Sequence, residues 1–151
     1  MMADRDIARN KKAFHEYHVL ERLEAGIVLQ GTEVKALRES KCNLKDSFAT
    51  VDNGELYLVN CHIGPFGPAG HFNHDPERKR KLLLHRREID RLLGKVAQRG
   101  LTLIPLRVYW SGKNVKVEIG LCQGKKLYDK RRAMKEKELK REAQILLSRN
   151  R

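Results

Sequence analysis

The stretch from Asn114 to Cys122 constrains the fold of this chain more than any other. Val115, Val117, Ile119 and Leu121 alternate with Lys116, Glu118, Gly120 and Cys122. A period of two puts one set on each face of a strand, so one face goes to a core and the other to water. Such a strand cannot stand alone. Its apolar face needs cover, and its backbone N–H and C=O groups need partners.

The partners are legible in the same way. Leu101 to Trp110 precedes it through Ser111-Gly112-Lys113, which makes a hairpin. Pro105 donates no ladder hydrogen bond, so its strand is an edge or carries a bulge there. Phe48 to Val51 and Leu56 to Val59 flank Asp52-Asn53-Gly54, and Asn-Gly tolerates the positive φ of a tight hairpin turn. From His15 to Leu29, Tyr17, Val19 and Leu23 lead to Ile27-Val28-Leu29, which reads as two short strands meeting at Ala25-Gly26. A short helix is predicted over Thr32 to Arg38, capped by Thr32. A longer one spans Leu84 to Gln98, with Ile89, Leu92, Leu93 and Val96 as its apolar stripe and Gly100 as its stop. Arg87, Arg91, Lys95 and Arg99 form a basic ridge roughly opposite. Met1 to Lys12 is polar and reads as loose. Gly64 to Gly70 holds two prolines and three glycines and reads as irregular loop.

Six or so short strands with two helices, in 151 residues, indicate a mainly β protein. The expected fold is an OB-type antiparallel β-barrel with inserted α-helices and a basic C-terminal tail, because closing a barrel removes exposed edges. A split α+β sheet is the alternative. Residues 1–123 read as the barrel and 124–151 as the tail.

Charge then separates the parts. The formal net charge is +13. Gly124 to Arg151 carries eleven Lys and Arg against four acids, a net +7, and Glu77 to Arg99 carries nine against three, a net +6. The other residues balance. Concentrated blocks of this kind suit a phosphate-rich partner. Within Asn73 to His85, the run Arg78-Lys79-Arg80-Lys81 follows a turn and leads toward a helix, a setting for phosphate contacts. Tyr128, set among Lys125, Lys126, Lys130, Arg131 and Arg132, is what base stacking needs. The first half of the tail has too few apolar residues to fold alone, so it is expected to be disordered when free and to fold only on a polyanion. Its apolar face is also too small for stable membrane insertion.

Signals for catalysis are poor. Cys42, Cys61 and Cys122 have neither disulfide-framework nor zinc spacing and read as reduced thiols of a cytoplasmic protein. His71 and His74 lie three apart with no further assigned ligand, which is weak support for a metal site. No phosphate-binding loop or nucleophile motif is present, and Glu24 and Glu33 suit capping, ion pairing or acceptance from base amino groups. The N-terminus has no apolar core for a signal peptide, and no stretch approaches a membrane span. The chain is expected to be a non-enzyme without cofactor or metal, and a monomer when free.

Three segments carry a resemblance that covers nearly the whole chain from Asn10: EAGIVLQGTEVKALR (Glu24 to Arg38), NHDPERKRKLLLH (Asn73 to His85) and GKKLYDKR (Gly124 to Arg131). In these the sequence closely resembles the SsrA-binding protein (small protein B) family. The resemblance implies an OB-type barrel that binds the tRNA-like domain of transfer-messenger RNA and supports its delivery to the vacant A site of stalled ribosomes for trans-translation. The tail would occupy the empty mRNA channel and become helical there, on the ribosome. It further implies that alanyl-tRNA synthetase and elongation factor Tu are reached indirectly through the RNA. Carried to matching positions, transfer-messenger RNA contacts fall on Asn10, His15, Glu24, Lys35, Arg38, Arg80, Lys81, Leu83 and His85. Contacts with the decoding centre and mRNA channel fall on Gly124, Lys125, Lys126, Tyr128, Asp129, Lys130 and Arg131. Tyr128 departs from a family His and His85 from a family Asn. A structural ribosomal RNA-binding protein is the competing reading.

Overall fold

The computed structural model describes residues 5–149, apart from the side chains of Gln98, Arg99, Leu127 and Tyr128. In chain order the first half holds β1 (Arg5–Arg9), α1 (Lys11–Glu16), β2 (Tyr17–Ile27), α2 (Gly31–Arg38), β3 (Cys42–Asn43), β4 (Phe48–Asp52), β5 (Glu55–Val59) and β6 (His62–Ile63). A 3-10 turn (Gly67–Phe72) leads to β7 (Arg80–Leu83), α3 (Arg86–Arg99), β8 (Thr102–Ser111), β9 (Asn114–Gly124) and α4 (Lys125–Arg149).

Strand pairing closes on itself. The order β8-β4-β5-β7-β2-β9 ends with β9 hydrogen-bonded back to β8, and every pairing is antiparallel. This is a mainly β, OB-type barrel, with β1 added outside β8 and β3–β6 as a separate small ladder. Leu56, Leu58, Leu82, Val117 and Ile119 fill its interior, each fully buried. The Asn53-Gly54 hairpin forms as expected, with φ of 51° and 76° at its two turn residues. Pro105 sits at a register shift between β8 and β9, the expected bulge.

Several local expectations change. Residues 5–9, read as loose, form β1 because their backbone completes the open side of β8. Ala25-Gly26 does not divide two strands: β2 runs unbroken through both, its bulge lying between Val19 and Glu21. Helix α2 starts one residue before Thr32, and the backbone N–H of Gln30 is satisfied at 2.7 Å by the Glu33 carboxylate. The 64–70 loop runs into the 3-10 turn, kinked at Gly70 with φ of 55°. In α3, Ile89 and Leu92 are buried while Leu93 stays exposed. The wet face of β9 is wet only in part: Gly120 and Cys122 are buried too, because α1 covers that end through Ala13, which packs with Ile104 and Leu106 of β8.

Helix α4 follows Gly124 directly, and Gly124 itself pairs with Tyr17 as the last residue of β9. From 129 to 149 the helix is exposed along its length, Met134, Leu139, Leu146 and Leu147 included.

Candidate nucleic-acid interface

Strand alternation decides which basic residues reach the surface. The 78–81 run lies not in a helix lead-in but across the start of β7, so from Arg80 onward its side chains go in turn inside and outside. Arg80 and Leu82 point inward and are fully buried, while Lys81 and Leu83 face out, Leu83 being half exposed. Arg80, expected at an RNA face, is therefore a core residue. Its guanidinium pairs with the buried Glu33 carboxylate and donates to the carbonyls of Cys61 at 2.7 Å and Pro76 at 3.2 Å. Arg78 pairs with the same carboxylate at 2.7 Å and donates to Val28 O at 3.1 Å. Burial pushes the Glu33 carboxyl up, but hydrogen bonds from Arg78, Gln30 and Arg80 outweigh it, and the net shift is downward. Lys79 pairs with Asp52 at 2.9 Å and lies 4.5 Å from the Tyr57 ring centroid, and Lys81 pairs with Glu55 at 3.5 Å. The block that looked like four free cations is a hub tying α2, the 75–80 segment and the barrel together.

The outward side chains make a groove. Gly26 pairs with Leu83 of β7 on one side and Lys116 of β9 on the other. Glu24, Gly26, Leu83, Leu84, His85, Glu88 and Lys116 line the depression between these strands and the start of α3. A Cβ at Gly26 would lie 3.2 Å from Leu83 Cβ, so glycine keeps the floor low. The Glu24 carboxylate accepts from the hydroxyl of buried Tyr109. His85 is the exposed N-cap of α3, its carbonyl accepting from the N–H of Glu88 at 2.9 Å. The groove thus offers a carboxylate acceptor, an imidazole, an ammonium and an apolar wall. That set can read and pack an RNA edge. Glu24, Leu83 and His85 come together here, with Lys81 next on the same face of β7. Gly26, Lys116 and Glu88 were not singled out from the sequence. The outward phase of Lys116 in β9 was visible, but no signal placed it beside β7.

The remaining candidates lie elsewhere. Lys35 and Arg38 are exposed on α2. His15 is exposed at the end of α1, where the Tyr17–Gly124 pair roots α4 beside it. From that root to the Gly26–Lys116 pair is nine residues of β2, roughly 30 Å. Asn10, another expected contact, is buried: its Oδ1 accepts from Ala13 N–H at 3.2 Å and caps α1, and its Nδ2 donates to Pro105 O at 3.0 Å. Lys126, Asp129, Lys130 and Arg131 are exposed on the first turns of α4, which Lys125 begins, half-buried. The Tyr128 side chain lies outside the described residues.

The basic ridge of α3 is also partly spent. Arg91 and Lys95 both pair with Glu21, at 2.7 and 3.0 Å, and these contacts hold the Glu21 carboxyl down at about 2. Arg87 remains exposed, and the Arg99 side chain is outside the described residues. His74 is buried, with Nε2 donating to Ile63 O and Nδ1 beside Thr32 Oγ1, both at 2.9 Å, so neither ring nitrogen is open to a metal. Among the described residues no group of three or more His, Cys, Asp or Glu is placed to hold one. Cys42 and Cys61, distant in sequence, have their sulfurs 3.9 Å apart as free thiols. No described helix is long and apolar enough to cross a membrane.

Comparison with known proteins finds relatives over most of the chain. A family profile described as SmpB protein matches residues 7–149. The SsrA-binding protein of Sulfurihydrogenibium sp. is 60% identical over 141 residues, covering 93% of each chain. That of Syntrophobacter fumaroxidans is 59% identical over 145 residues, 96% of this chain and 90% of the relative. A solved structure described as "tmRNA-SmpB: a journey to the center of the bacterial ribosome" superposes with a TM-score of 0.67 at 52% identity, covering 78% of this chain and 83% of the other.

Proposed function

The chain belongs to the SmpB protein family, and from that membership we infer that it binds transfer-messenger RNA and acts in trans-translation at the ribosome. The observation that carries the reading is the 60% identity, over nearly the full length, to a relative named for binding SsrA. The solved neighbour at 52% identity, named for tmRNA, SmpB and the ribosome, supports the same partners. The family is an RNA-binding one, and no enzymatic role is assigned to this chain.

We propose the following division of labour. The Glu24–Leu83–His85 groove, with Lys81 and Lys116, takes the tRNA-like domain of the RNA, and Lys35, Arg38 and His15 extend the contact. Arg80 and Asn10 act from inside: Arg80 fixes β7 and hence the outward set of Lys81 and Leu83, and Asn10 fixes α1. Residues 5–124 form the RNA-binding body. Residues from Lys125 onward, with Lys126, Tyr128, Asp129, Lys130 and Arg131 first, enter the mRNA channel and contact the decoding centre as helix α4. The supports are the exposure of α4, its charge, and its rooting about 30 Å from the groove along β2.

The test is removal of residues 125–151. The shortened protein keeps its affinity for the tRNA-like domain and loses tagging of nascent chains on stalled ribosomes. Normal tagging by the shortened protein would reject the role given to the tail.

A further inference from the structure

Phe72 is 79% exposed, more than any other large apolar side chain described. It does not sit on a loose segment. Asn73 binds the loop to itself: its Oδ1 accepts from Phe66 N–H at 2.8 Å, and its Nδ2 donates to the carbonyls of Phe66 at 2.9 Å and Gly70 at 2.8 Å. Ala69 N–H adds a bond to Phe66 O at 3.0 Å. The His71 ring leans on Phe72, with centroids 4.4 Å apart and planes at 38°. The surroundings are cationic. Lys35 Nζ lies 5.5 Å from the Phe66 ring centroid, and Lys41 Nζ donates to Pro65 O at 3.2 Å while pairing with Glu39 at 2.9 Å. Residues 64–73 contain no acid.

We propose that this loop is a second RNA-contact site, where Phe72 stacks an unpaired nucleobase and Lys35, over the neighbouring Phe66 ring, supplies positive charge. An aromatic face stacks on any base, so no hydrogen-bond readout is needed. A loop already fixed by its own hydrogen bonds loses little further freedom on binding. The neighbours favour RNA over a protein partner, since an apolar protein patch would need more than one exposed Phe ring among Gly, Pro, His and Lys. The site is separate from the groove: the loop packs beside α2, through Lys35 and the His74–Thr32 contact, and shares none of the groove's lining. The inference rests on the RNA-binding function proposed above. The unpaired base belongs either to transfer-messenger RNA or to ribosomal RNA, and the experiment separates the two.

Full-length wild type and the variants Phe72→Ala, Phe72→Leu and Phe72→Tyr are titrated against the isolated tRNA-like domain and, separately, against ribosomes. Thermal melts serve as the folding control. Ala and Leu are expected to weaken binding about tenfold in one of the two titrations, with Tyr within about twofold of wild type, as loss of one stacked base predicts. Loss in the first titration assigns the base to transfer-messenger RNA, and loss in the second to ribosomal RNA. Wild-type affinity of Phe72→Ala in both overturns the site, and so does full rescue by Leu, which would mean apolar packing without stacking. If wild type bound neither target, the proposed function itself would fall; intact wild-type binding with an unaffected Ala variant removes this site alone.

Discussion

Glu33 joins two segments that are far apart in sequence, because one buried carboxylate accepts from Arg78, Arg80 and the Gln30 N–H beside it. Removing one partner of a buried ion pair leaves charge without compensation. Glu33→Gln is therefore expected to cost about 3–5 kcal/mol in chemical denaturation; a loss under about 1 kcal/mol, the value of an exposed pair, would show the hub to be solvated. The pH dependence follows from the same geometry. Glu33 and Glu21 both titrate below the ordinary carboxylate value of 4.5 in the folded state, Glu21 at about 2. A group depressed on folding stabilises the protein fully above its unfolded pKa and loses that contribution as pH falls through the folded one. Thermal melts should hold steady down to about pH 5 and decline from there toward pH 2, and Glu21→Gln should flatten the lower part of the decline. An acid-independent melting temperature would contradict both assignments. The sequence carried the charges but not this pairing. Arg78-Lys79-Arg80-Lys81 reads as one patch, and the even spacing of strand positions splits it. The acid that binds two of the four lies 45 and 47 residues away.

At the scale of elements, β7, β2 and β9 set the groove and α4 stands off from it. The β8–β9 hairpin and the Asn53-Gly54 hairpin were legible because each rests on local alternation and turn chemistry. β1 was not, since its five residues acquire strand geometry only from the waiting edge of β8. The unbroken β2 was hidden by Ala25-Gly26, two small residues that suggest a break; Gly26 instead allows close packing against Leu83, and Ala25 is buried in the core. The groove itself needs three strands distant in sequence, so composition could name Glu24, Leu83 and His85 only through the family pattern and missed Lys116. Exposure of α4 leads to an expectation for the free protein: removing residues 125–151 should leave the thermal midpoint within a few degrees, because few barrel contacts depend on them. A large drop would mean that the helix packs on the barrel.

The whole molecule combines a closed β body with a basic arm of opposite purpose. The body's own cations are largely consumed: Arg78, Lys79, Arg80, Lys81, Arg91 and Lys95 all have acidic partners. In α4, among the described residues, one ion pair appears, Arg132–Glu136 at 3.3 Å. The charge left for phosphates therefore weighs toward the arm, while the groove is proposed to recognise through shape and mixed polar groups. That asymmetry is the central claim, and hydroxyl-radical footprinting tests it most directly. Full-length protein and protein lacking residues 125–151 are each bound to transfer-messenger RNA and to the small ribosomal subunit. The account predicts equal protection of the tRNA-like domain by both proteins, and protection of the mRNA path by the full-length protein alone. MRNA-path protection by the shortened protein, or loss of the tRNA-like footprint with the arm, would contradict it.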